Sequence, residues 1–159
     1  MGKIIEQPSF TIIGIAGRTN NQNGAASDGL IKQMWNRVMQ EQLTNTIPNR
    51  ADGSIIAAYT DYESDKDGEY TFIIGAKVTS ADSIPEGMIA MTVPATSYSV
   101  VPSEVGPPWE TIPAVWQRIW SMPPSELGGE RAYGFDYELY DERSYNPETA
   151  QVDVYLSVK

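Results

Sequence analysis

Residues 133–140 read Tyr-Gly-Phe-Asp-Tyr-Glu-Leu-Tyr, with an aromatic ring at nearly every second position and Glu138 standing among the rings. A carboxylate in such company is costly to bury without a partner. It is well suited to receive an organic cation. At about 4 Å and an effective dielectric near 20, the two opposite charges attract by about 4 kcal/mol before desolvation. Each well-placed ring adds about 0.5–2 kcal/mol of cation–π attraction. Asp136 and Glu138 also share one face of a strand, and paired carboxylates can do acid–base work. Strand alternation puts Phe135, Tyr137 and Leu139 on one face and Asp136, Glu138 and Tyr140 on the other. Tyr137 and Glu138 can therefore face one pocket only if a bulge intervenes.

The composition narrows the chemistry further. The chain has 159 residues, enough for one domain with a substantial core, and 41% hydrophobic residues suit a folded protein. Its formal net charge of −10 repels phosphate backbones, so direct nucleic-acid binding is not expected. The same charge draws in cations, or serves only solubility. With no cysteine there are no disulfides and no thiolate chemistry. With no histidine the commonest general base and metal ligand are both missing. No cofactor and no metal are expected, and the acidic run 61–69 lacks the ligand spacing of a calcium loop. No segment approaches the ~20 apolar residues of a membrane span. A cytoplasmic protein, monomer or homodimer, is the default expectation.

The elements that must position Glu138 follow from periodicity. A first strand is read at 10–17, β-branched and bounded by Pro8. A helix follows, with Leu30, Ile31, Met34, Trp35, Val38 and Met39 on one stripe and Ser27 or Asp28 as its cap. Strands at 54–62 and 69–78 are joined by an acidic turn ending Asp67-Gly68, a hairpin signal. The second half gives strands at 88–93 and 97–104, then a Gly106-Pro107-Pro108 turn. Its helix carries Ile112, Val115, Trp116, Ile119 and Trp120, with Thr111 as cap and Pro113 in the first turn. Strands at 132–140 and 152–158 close the chain.

The halves also match in residues. Ile31, Met34, Trp35, Arg37 and Val38 correspond to Ile112, Val115, Trp116, Arg118 and Ile119 at an offset of 112 − 31 = 81. Asp61-Tyr62-Glu63 matches Asp136-Tyr137-Glu138 at an offset of 136 − 61 = 75, which would make Glu63 the mate of Glu138. The expected fold is α+β: a single domain over 1–159 built as a duplicated β-α-β-β, with repeats of about 1–80 and 81–159. Two pseudo-symmetric repeats would share an antiparallel sheet, with both helices on one face and a cleft at the seam. Trp35 and Trp116 read first as core. Trp120 replaces Met39 of the first half, and Trp109 stands in a proline-rich turn, so both suit a pocket rim. Trp116, Tyr59, Phe135 and Tyr137 complete the ligand-facing candidates around Glu138.

Ile84-Pro85-x-Gly87-Met88, Pro94-Ala95-x-x-Tyr98, the Gly106-Pro107 turn, Phe135-x-x-Glu138-x-Tyr140 and Val152-Asp153-Val154-Tyr155-Leu156 occur in that order. Together they resemble the GyrI-like small-molecule-binding family, over about 10–158. The same domain is the effector-binding part of some AraC-type and MerR-type multidrug regulators. The resemblance implies a pocket between duplicated halves and a glutamate, here Glu138, that contacts cationic drug-like ligands. Trp109 stands where family members often have a tyrosine. The family also implies two alternatives: a hydrolase of strained electrophilic molecules using Glu138 and Tyr140, and a gyrase-inhibitor-like protein-interaction role toward a basic target. No DNA-binding segment is read in the chain, so a regulatory role would need a partner or would be absent.

Overall fold

Eight strands join in one antiparallel sheet. They are β1 (Lys3–Gln7), β2 (Phe10–Thr19), β3 (Ile55–Thr60), β4 (Tyr70–Val78), β5 (Ile89–Val93), β6 (Thr96–Pro102), β7 (Phe135–Tyr140) and β8 (Asp153–Ser157). The order across the sheet is β1-β6-β8-β7-β3-β4-β2-β5. This computed structural model describes residues 3–20, 29–64, 68–144, 146 and 148–159. Outward from the central β3–β7 pair, β4 and β2 on one side mirror β8 and β6 on the other. The strand opening each half is exchanged: β1 pairs with β6, and β5 pairs with β2. The short apolar run of β1 is too brief to register as a strand by periodicity, and it is held by the edge of β6.

The sheet is strongly curled. Phe10 on β2 and Tyr137 on β7 stand three strand positions apart, roughly 14 Å in a flat sheet. Their ring centroids are nevertheless 5.8 Å apart. Curling brings Ile12, Ile56, Ala58, Ile73, Val93, Tyr98, Phe135 and Tyr137 into one buried cluster on the concave face. Gly14 and Gly75 face each other across β2 and β4. A Cβ on Gly75 would run into the Ile13 carbonyl, and one on Gly14 into that of Ile74, so only glycine permits this approach.

The opposite face carries both main helices. Helix α1 (Leu30–Glu41) buries Met34 and Val38 against Ile15, Ala57, Phe72 and Ile74. Helix α2 (Pro108–Ser121) lays Val115, Trp116 and Ile119 on Val101, Val154 and Leu156. Each fully buried aliphatic of this kind contributes about 1.5–3 kcal/mol. Tyr59 touches both clusters and so lies between the helices. Met39, read as part of the α1 stripe, is 64% exposed.

The helix ends differ in detail from the sequence reading. Gly29 is the N-cap of α1; Ser27, Asp28 and Asp67 lie outside the described residues. Helix α2 begins at Pro108, because proline is pre-organised for the first helical position. Thr111 is therefore inside the helix, its N–H donating to Pro107 O at 3.0 Å. Pro113 falls in the second turn, where it removes one helical hydrogen bond. A short helix α3 (Pro124–Leu127) follows and stops at left-handed Gly128.

Candidate functional site

The site is built from β7 outward. The pleat turns Asp136, Glu138 and Tyr140 to the helix face, while Phe135 and Tyr137 enter the concave core. No bulge interrupts β7 against β3, so Glu138 pairs with Ala57 and Tyr140 with Ile55. Ala57 is small and fully buried. It leaves the Glu138 side chain room to lie beneath the helices.

Glu138 is only 1% exposed. Its Oε2 accepts the Tyr59 hydroxyl and the Trp116 Nε1–H, both at 2.7 Å. Its Oε1 accepts the Tyr140 hydroxyl at 2.5 Å. These donors are neutral and aromatic, and among the described residues no basic side chain forms an ion pair with Glu138. Burial holds the Glu138 carboxyl above the usual carboxylate range, and the hydrogen bonds from Tyr140, Tyr59 and Trp116 only partly oppose that. Burial and then the neighbouring Glu138 charge hold Tyr59 and Tyr140 well above the ordinary tyrosine range.

An aromatic shell surrounds these donors. Tyr59 packs against Tyr70, Phe72 and Trp116 at centroid distances of 5.4, 5.1 and 5.1 Å. Trp35 packs edge-on against Tyr140 at 4.8 Å. Trp116 neighbours Trp120 at 6.3 Å, and Trp120 is 38% exposed. The Tyr70 hydroxyl is buried without a hydrogen-bond partner among the described residues.

The arrangement has a local two-fold logic. Trp35 and Trp116 are related by 116 − 35 = 81, and Tyr59 and Tyr140 by 140 − 59 = 81. Trp35 meets Tyr140 just as Trp116 meets Tyr59. The same offset relates Ala57 to Glu138, which are each other's partners across β3 and β7. Glu138 thus sits on the pseudo-axis, where a glutamate from each half would place two carboxylates abreast. The residue that corresponds to Glu138 is Ala57. Glu63, three residues past the end of β3, is exposed, and its N–H donates to Glu69 O at 2.8 Å.

The structure brings together Glu138, Tyr59, Trp116 and Tyr140, with Trp120 at the margin. It does not bring Phe135 or Tyr137 to them; Tyr137 instead stacks on Tyr155 at 4.5 Å on the other face. Trp109 lies in the first turn of α2, and its side chain is outside the described residues. Trp35 was legible only as core, although its correspondence to Trp116 pointed to the same place. Asp136 is fully buried beside Glu138 and pairs with Arg131, which sequence reasoning missed.

The sequence profile of the GyrI-like small molecule binding domain matches residues 3–159. The chain belongs to this family. Among its GyrI-like relatives, YobU of Bacillus subtilis (strain 168) is 30% identical over 147 residues, covering 92% of this chain and 90% of YobU. The transcriptional regulator BrlR of Pseudomonas aeruginosa is 29% identical over 158 residues. That match covers 98% of this chain but 54% of BrlR, so the chain spans about half of that regulator. The solved structure of SAV2435 bound to tetraphenylphosphonium superposes with a TM-score of 0.80 at 17% identity, covering 100% of this chain and 94% of that one. It shares the curled sheet and paired helices of the GyrI-like fold. Among the described residues no helix is long and apolar enough to cross a membrane.

Proposed function

We propose that this GyrI-like chain is a receptor for hydrophobic organic cations, bound at Glu138 between α1 and α2. The observation that carries the reading is a buried carboxylate held only by neutral aromatic donors. An internal arginine or lysine paired with the carboxylate would be the ordinary way to offset such a burial, and among the described residues none forms an ion pair with Glu138. A ligand cation would supply the missing charge, with Tyr59, Tyr140 and Trp116 as aromatic walls. Because Glu138 is sealed, entry requires at least one of these rings to move aside. Binding then includes a conformational change that a partner can read. The reading is supported by SAV2435, a protein of this fold whose solved structure is bound to tetraphenylphosphonium, and the regulator BrlR supplies a precedent for the domain within a transcription factor. We place the chain in the cytoplasm as a ligand sensor acting through a protein partner.

The test uses two probes of equal shape and opposite charge, tetraphenylphosphonium and tetraphenylborate, titrated by tryptophan fluorescence. Wild type is expected to bind the cation selectively. Glu138→Gln should weaken that binding by about tenfold or more, equivalent to ~1.4 kcal/mol. Equal binding of both ions, or no effect of the substitution, would refute the reading.

A further inference from the structure

Asp136 lies two residues before Glu138 on the same face of β7, so the carboxylates stand roughly 7 Å apart along the strand. Both are buried, and each accepts a tyrosine hydroxyl among its neutral donors. Asp136 accepts the Tyr62 hydroxyl at 2.6 Å, the Ser157 N–H at 2.7 Å and the Ser157 hydroxyl at 3.0 Å. The difference is that Asp136 already holds a cation. Arg131 Nη2 lies 2.8 Å from its Oδ2. The guanidinium sits over the Tyr133 ring at 4.3 Å and over the Trp116 ring at 5.8 Å. Trp116 therefore serves both carboxylates: its N–H donates to Glu138 and its face meets the guanidinium.

Arg131 is not fully engaged. Its side chain is 8% exposed, yet its Nε is buried without a hydrogen-bond partner among the described residues. Buried polar groups held purely for structure are normally paired. A cation seated on a carboxylate and two ring faces has instead the contacts that an aromatic cage gives a bound ligand.

We propose that Asp136, Tyr62, Tyr133 and Trp116 form a second cation subsite, continuous with that of Glu138 and occupied by Arg131 as an internal ligand. This rests on the reading of Glu138 as a cation site. Arg131 then limits the protein to ligands with one cationic end. Its removal opens a site for aromatic dications whose charges match the spacing of the two carboxylates.

The experiment titrates benzylammonium and p-xylylenediammonium by calorimetry against wild type, Arg131→Gln and the double variant R131M/D136N. Arg131→Gln keeps a donor for Asp136. The double variant removes both members of the buried pair, so no charge is left alone. Wild type should show little preference for the dication. Arg131→Gln should prefer it by about tenfold, and the double variant should lose that preference. In the double variant, tetraphenylphosphonium should also bind more tightly than in wild type, because no guanidinium competes for the Trp116 ring. An unchanged preference in Arg131→Gln, or binding of neither probe by it, overturns the proposal. If that variant does not fold, unchanged or weaker tetraphenylphosphonium binding by the double variant overturns it instead. Failure of the Glu138 reading is separate: it appears as absent charge selectivity in wild type, whatever Arg131 carries.

Discussion

Replacing Glu138 by glutamine should make the protein's stability less sensitive to rising pH. The unfolded chain ionises this glutamate near the ordinary value of about 4.3. In the folded chain burial raises that value, against the opposing hydrogen bonds from Tyr140, Tyr59 and Trp116. The folded state therefore keeps its proton over a range in which the unfolded state has released it. Stability must fall there as pH rises, by up to about 1.4 kcal/mol per pH unit for one proton. The loss begins near the unfolded value and levels off once the pH passes the folded value. The variant has no proton to release, and its altered hydrogen bonding enters as a constant offset that leaves the slope untouched. Urea unfolding of both proteins across about pH 4 to 8 gives the difference directly. Wild type should lose stability relative to the variant as pH rises through this window. The opposite slope would mean that the three hydrogen bonds outweigh burial, making Glu138 a stabilising ionised group and refuting the argument.

The same proton links to ligand. Tetraphenylphosphonium affinity should fall as pH is lowered through the raised Glu138 value, and the Glu138→Gln profile should be flat in fluorescence titrations. Trp116→Phe keeps a ring on α2 but removes the Nε1 donor, so urea unfolding should show a loss of about 1–3 kcal/mol. Asp136→Ala leaves Arg131 buried without its partner and should cost about 3–5 kcal/mol in the same assay. Gly75→Ala forces a methyl into the Ile13 carbonyl and should abolish folding or lower the melting temperature severely. Gly87→Ala meets open space and pays only for its positive φ of 82°, about 1–2 kcal/mol.

Local periodicity made most of the fold readable. The stripes of α1 and α2, the apolar runs of β2 to β4 and the offset of 81 between Trp35 and Trp116 all reflect short-range patterning. Alternation alone placed Glu138 with Asp136 and Tyr140, away from Tyr137. The family motifs raised Glu138 above the other acidic residues. What failed was long range. The offset of 75 matched Asp-Tyr-Glu letters at two places, but strand register relates Ala57 to Glu138 and leaves Glu63 in solvent. β1 went unseen because its partner β6 lies about 90 residues away, and an edge strand of five residues carries little periodic signal.

The sequence by itself determined which residues could form the site: one face of β7 with two carboxylates, aromatic side chains at helical spacing, and no histidine or cysteine to compete. Only the tertiary structure decided how they meet. Pairing of β3 with β7 and docking of α2 brought Tyr59 and Trp116 onto Glu138 beside its strand neighbour Tyr140, and the chain before β7 brought Arg131 onto Asp136. Those contacts join residues up to 79 positions apart in the chain. Their geometry comes from strand register and helix packing, which no local run of side chains encodes.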